Sequence, residues 1–153
     1  MFLDKIGKLT AKKKIHAPIS LCYDVVKDVE KYPRFLQNIE RVSIIDKNPE
    51  QVNYKVDHNL KLVGYRLSLD YKMKTLDNEI SIIGKGSQYI NYIHYHWFFK
   101  EIDRSHSKIN LNLEIEFSDW SYYPLWLGIK DLVKEKTMME YNERICQIKK
   151  MSE

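Results

Sequence analysis

His94 and His96 are the residues whose types and spacing most directly invite chemistry. Two imidazoles at i and i+2 on a strand project to one face, where they could share a zinc ion. Such a site needs a third ligand, and His58 or His16 would have to arrive from another strand. Alternation along residues 90–100 sets the pair opposite Tyr95 and Trp97, so the expectation is two solvent-facing histidines and no metal. Tyrosines are the next candidates. There are eleven in 153 residues, and Tyr65, Tyr71 and Tyr95 fall on apolar faces, where a hydroxyl can donate a proton or orient a carbonyl. Asp70, Glu114 and Glu116 read onto wet faces. No nucleophile with an adjacent base, phosphate-binding loop or dinucleotide glycine pattern occurs, so no catalytic residue and no cofactor is expected. Cys22 and Cys146 match no metal-ligand spacing.

Charge narrows the partners. Twenty-five basic residues against 21 acidic ones leave a net charge of +4, a mild excess that does not suggest specific DNA binding. Lysines concentrate at Lys8, Lys12, Lys13 and Lys14, with a smaller group at Lys149 and Lys150. They read as an edge strand guarded against pairing with other chains. The alternative is contact with an acidic membrane or a ribosome through Lys12, Lys13 and Lys14. Two cysteines in a lysine-rich chain, no apolar run after Met1-Phe2-Leu3-Asp4, and no stretch near the ~18 apolar residues of a membrane span point to the cytoplasm.

The elements that must position these residues follow from periodicity. Residues 7–16 read as a strand ending at Pro18, with Ser20 able to cap a helix whose Leu21, Val25, Val26 and Val29 share a face. Tyr32-Pro33 is expected to end that helix, and Pro33 to open a short one running to about Ile39. From residue 41 onward apolar and polar residues alternate. The runs are 41–46, 51–58, Val63 to Lys74, 79–84, 90–100 and 108–118, with Gly84 and Gly86 read as a strand break. These make an antiparallel meander with one dry face. Residues 124–149 supply the only long helix, with Leu125, Ile129, Leu132 and Val133 and then Met138, Tyr141, Ile145 and Ile148 on its apolar side. Nothing divides the chain, so residues 1–153 are expected to form one α+β domain.

This order of elements resembles the START-like helix-grip superfamily, and within it the polyketide cyclase and coenzyme Q-binding branch. The likeness rests on Ala17-Pro18 and on Asp28-Val29-Glu30-Lys31-Tyr32-Pro33-Arg34-Phe35-Leu36. Trp97 and Phe99 two residues apart, the strand end Ile115-Glu116-Phe117-Ser118, and Met138 or Met139 with Tyr141 and Arg144 on the closing helix add to it. Quinone-binding members continue Phe-Leu with Pro-Trp-Cys, whereas this chain has Gln37-Asn38-Ile39, which argues against a quinone and leaves apolar ligand binding. The resemblance implies an antiparallel sheet wrapped around a long C-terminal helix, with an internal cavity between them. The expected ligand contacts are Phe35, Tyr54, Tyr65, Leu67, Tyr71, Tyr95, Trp97, Trp126 and Met138. It implies binding or transport of a hydrophobic small molecule such as a lipid, isoprenoid or polyketide-like compound. The alternatives are an aromatase/cyclase acting on a poly-carbonyl substrate and a ribosome-associated interaction module.

Overall fold

The computed structural model describes residues 5–61 and 64–152. Strand β1 (Ile6–Ile15) leads through Ala17-Pro18 into helix α1 (Ile19–Lys27) and a 3-10 helix (Val29–Arg34). Strands β2 (Ile39–Lys47), β3 (Gln51–Leu60), β4 (Tyr65–Leu76), β5 (Glu79–Lys85), β6 (Ile90–Asp103) and β7 (His106–Phe117) follow. A short 3-10 turn (Trp120–Tyr122) then starts helix α2 (Tyr123–Met151). The strands form one seven-stranded sheet in the order β1-β7-β6-β5-β4-β3-β2, antiparallel throughout. β2 to β7 are the expected meander. β1 pairs with β7 along its whole length, from Ile6 opposite Glu116 to Ile15 opposite Ser107. Successive strands β1 and β2 therefore occupy opposite edges, and the segment joining them must cross the sheet. It crosses on the dry face, burying Cys22, Val25 and Val26 of α1 and Val29 and Tyr32 of the 3-10 helix.

Alternation decides which face is dry. Val52, Tyr54 and Val56 on β3, Leu69, Tyr71 and Met73 on β4, Trp97 and Phe99 on β6, and Ile109, Leu111 and Leu113 on β7 are all buried. Register puts them on one side, with Tyr54 opposite Tyr71 and Trp97 opposite Leu111. His94 and His96 take the other face, where their rings stack and His94 Nε2 lies 2.9 Å from Ser81 Oγ. Among the described residues no three His, Cys, Asp or Glu side chains gather as a metal site.

Local details depart from the sequence reading. α1 stops at Lys27, with Asp28 as its C-cap, and does not run to Tyr32-Pro33. Pro33 sits inside the 3-10 helix, so no helix starts there and continues to Ile39. Ser20 does not cap α1; Pro18 holds the N-cap position with an extended backbone and no side-chain bond. Tyr32 accounts for the tight turn. Its ring is buried and its hydroxyl donates to the Val26 carbonyl, which requires the chain to fold back beneath α1. Gly84 is not a break but part of β5, opposite Tyr71. A Cβ there would lie 2.5 Å from the Tyr71 ring, so glycine lets that ring cross the strand. Tyr65, expected on the dry face, is 41% exposed at the start of β4. Val63 and the N-terminal Met1-Phe2-Leu3-Asp4 lie outside the described residues.

Helix α2 has 29 residues, about 44 Å at 1.5 Å per residue, and its halves behave differently. Met138, Tyr141 and Ile145 of the second half are buried against the sheet and α1. In the first half only Trp126 is, while Leu125 and Leu132 keep 41% and 55% of their surface. Gly7 on β1 makes room for this anchor, since a Cβ there would lie 2.5 Å from the Trp126 indole. No helix among the described residues is long and apolar enough to cross a membrane.

Candidate ligand cavity

Beneath the first half of α2, helix and sheet stand apart except where Trp126 reaches Gly7 on β1. The space between them holds about 390 Å3, within the roughly 300–1,000 Å3 of small-molecule sites. Its floor is Leu67, Leu69 and Tyr71 of β4, Ile93 and Tyr95 of β6, and Leu113 and Ile115 of β7. Its roof is Leu125, Trp126, Ile129, Leu132 and Val133 of α2. Two periods build it: every second residue along a strand, and every third or fourth along a helix. At the end nearest the start of α2 stand aromatic rings, with Tyr65 stacked on Tyr89 and Tyr122 edge-on to Tyr89. Around the middle of the helix the walls become polar, where Lys136, Thr137 and Glu140 line the cavity together with Asn38 and His58.

The polar groups are few and well held. His58 Nε2 and the Tyr71 hydroxyl lie 2.8 Å apart, and the Tyr71 ring stacks on Tyr54. His58 is half-buried and lines the cavity, and desolvation lowers its pKa to about 4 against the opposing charge of Asp57. The imidazole is therefore neutral at physiological pH. Burial pushes the Tyr95 hydroxyl up to about 12, tempered by its contact with Tyr71. Burial first, and neighbouring tyrosines second, hold Tyr54 and Tyr71 well above the ordinary phenol value. All three stay protonated and present O–H groups. Glu140 is 8% exposed, and its Oε2 accepts a 2.8 Å bond from the Gln37 N–H. A smaller cleft of about 270 Å3 beside α1 mixes Asp24, Lys27, Asp28, Glu30 and Lys47 with Val29, Ile44, Val52 and Met73.

Comparison with known proteins settles the family. The sequence profile described as polyketide cyclase / dehydrase and lipid transport matches residues 15–140. The chain belongs to this family. No curated protein matches it. Among solved structures it is similar to the Zhui aromatase/cyclase from Streptomyces sp. R1128, with a TM-score of 0.79, 10% identity, and 97% of this chain and 96% of that one covered. A START superfamily protein from Mycobacterium smegmatis gives a TM-score of 0.81 at 14% identity, over 92% and 98% of the two chains. Human STARD10 gives 0.72 at 10% identity, over 94% of this chain and 65% of that one. These likenesses establish a helix-grip fold, an antiparallel sheet holding a long C-terminal helix.

In this polyketide cyclase / lipid transport family member, the structure brings Tyr65, Leu67, Tyr71, Tyr95 and Trp126 together around the cavity. Phe35, Tyr54, Trp97 and Met138 lie outside its lining. Tyr54 sits beneath Tyr71, while Phe35 and Trp97 both pack edge-on against Tyr141. Arg144 lies over the Phe35 ring at 5.9 Å. These rings fill the end of the cup where α2 is packed down, which is why they are solid core. The reading from sequence missed His58 as a cavity residue, although it extends the Val52, Tyr54, Val56 series by one step of two. It also missed Glu140, for which no local signal exists. A glutamate beside Tyr141 reads as solvent-facing, and its burial arises from contact with Gln37, 103 residues away.

Proposed function

We propose that this protein binds an apolar small molecule, of lipid, isoprenoid or polyketide-like character, and carries or sequesters it in the cavity under α2. The observation that carries this reading is the unpartnered apolar stripe of α2. Leu125, Ile129, Leu132 and Val133 face about 390 Å3 of space where a purely structural core would bring side chains into contact. Each methylene of a guest buried there contributes about 0.8 kcal/mol. Tyr65, Leu67, Tyr71, Tyr95 and Trp126 are the proposed contacts, with tyrosine hydroxyls orienting the guest. Native mass spectrometry of protein purified from its own host, followed by organic extraction, tests this. A co-purifying apolar adduct, lost in an Ile129→Trp variant that fills the cavity, is expected. An empty protein that also takes up no neutral hydrophobic dye refutes it.

A second reading, an aromatase/cyclase on a poly-carbonyl substrate, draws on one feature. The His58–Tyr71 pair, with Tyr95 beside it, offers a neutral base and an O–H donor inside an apolar chamber. Replacing Tyr71 and Tyr95 by Phe separates the two readings. Lost turnover with retained binding favours the enzyme, and a modest loss of affinity alone favours the carrier. Contact with an acidic membrane or ribosome belongs to the same proposal. Its support is that Lys12 and Lys14 lie on the outer face of the edge strand, Lys14 opposite Lys108 and Lys108 opposite Lys100. Lys13 pairs with Ile109 and points to the other side. Replacing Lys12, Lys14 and Lys108 by Glu should abolish co-sedimentation with ribosomes and anionic vesicles; unchanged sedimentation removes the idea. A cytoplasmic location is proposed with it, supported by two cysteines that form no disulfide.

A further inference from the structure

The polar end of the cavity is a built feature with a buried acid in its wall. Glu140 is more than nine-tenths buried and lines the cavity, and among the described residues its one hydrogen bond comes from the Gln37 N–H. The strap that supplies this bond also fixes His58. The Asn38 carbonyl accepts from the Asn59 N–H at 2.9 Å, and Ile39 pairs with His58 across β2 and β3. Glu140 and the His58–Tyr71 pair are thus both set by residues 37–39, at the end of the chamber away from the Tyr65–Tyr89 stack. A carboxylate has about four acceptor positions, and one backbone donor leaves most of them open towards the cavity. A guest that donates a hydrogen bond at this end can occupy one of those positions.

On the reading that this cavity is a ligand site, we propose that its guest is a neutral apolar molecule bearing a hydroxyl group. The hydroxyl donates to Glu140 at the end of the chamber bordered by the His58–Tyr71 pair, and anionic carboxylates are disfavoured there. A guest carboxylate would place like charges together in low dielectric, with only neutral hydrogen-bonding groups on the floor beside it. Two cations also border the chamber. Lys61 is exposed, and Lys136 is half-buried one turn before Glu140. Long stems can carry these ammonium groups to water, and neither forms an ion pair with Glu140 among the described residues.

The test is displacement of Nile red, a neutral dye, from the full chain at neutral pH by dodecanol, dodecyl methyl ether and dodecanoate. Dodecanol should bind at least ten-fold more tightly than the ether, which lacks the donor, and than dodecanoate, which carries the charge. Glu140→Gln should shrink the preference for dodecanol over dodecanoate several-fold. Equal binding of dodecanol and its ether overturns the proposal while leaving the cavity reading intact, as does dodecanoate binding as tightly as the alcohol. An unchanged preference in Glu140→Gln also overturns it. Should that variant fail to fold, the three-ligand series on the unaltered protein decides alone. Failure of all three ligands to displace the dye removes both the proposal and the reading beneath it.

Discussion

Replacing His58 by Phe should flatten a pH dependence that the cavity imposes on folding. In the folded protein desolvation holds His58 near 4, against an ordinary value of 6.5. As pH falls through 6.5 the unfolded chain takes up a proton that the folded one refuses, so the unfolded state binds more protons and stability drops. The contribution is fully present above about pH 6.5 and is lost as pH falls through the folded value near 4. The shift corresponds to about 3 kcal/mol in all, of which about 2 kcal/mol is gone by about pH 5. Carboxylates titrate nearby, so the diagnostic quantity is the difference between wild type and variant. Urea unfolding, followed by tryptophan fluorescence at about pH 7 and about pH 5, gives it. The wild type should lose about 2 kcal/mol more than His58→Phe over that interval. The variant starts from lower stability, since the Tyr71 hydroxyl loses its bond to His58 at a cost of about 1 kcal/mol. Equal losses in the two proteins would show that His58 is solvated, and the reasoning about its surroundings would fall.

Gly84→Ala places a methyl group 2.5 Å from the Tyr71 ring and should cost about 1–3 kcal/mol by overpacking; an unmoved urea midpoint contradicts this. Trp126→Ala removes the one buried side chain in the first half of α2 and should cost about 3–5 kcal/mol. It should also speed amide exchange in residues 123–137, and unchanged exchange there would mean that other contacts hold the helix. Burial pushes the Cys22 thiol up to about 11, so an alkylating reagent at mildly basic pH should modify Cys146 readily and Cys22 only after unfolding. Two fast modifications by mass spectrometry would contradict that placement.

Much of the cup was legible in the chain because a half-buried sheet writes its faces into a two-residue period. Tyr71 and Tyr95 could be placed on the dry face from spacing alone, and both line the cavity. Spacing could not say where that face meets a side chain and where it meets space. Trp97 and Tyr95 share a face two residues apart, yet Trp97 packs on Tyr141 and Tyr95 borders the cavity. The difference lies in α2, whose second half is packed down and whose first half stands off with Trp126 as its anchor. Local turns were missed for a related reason. Tyr32 overrides the helix signal around it by burying its ring and bonding to Val26.

The amino-acid sequence by itself determined the element types, the dry faces, the single long helix and, through its profile, the family. These are properties of short windows and of their order, set by period and by backbone preference. Only the tertiary structure decided that a cavity lies between helix and sheet, that His58 is neutral beside it, and that Glu140 is buried at its polar end. Each of those depends on which distant segments meet. Gly7 admits Trp126 and Gln37 meets Glu140, and desolvation is a property of the assembled walls rather than of any residue read in line.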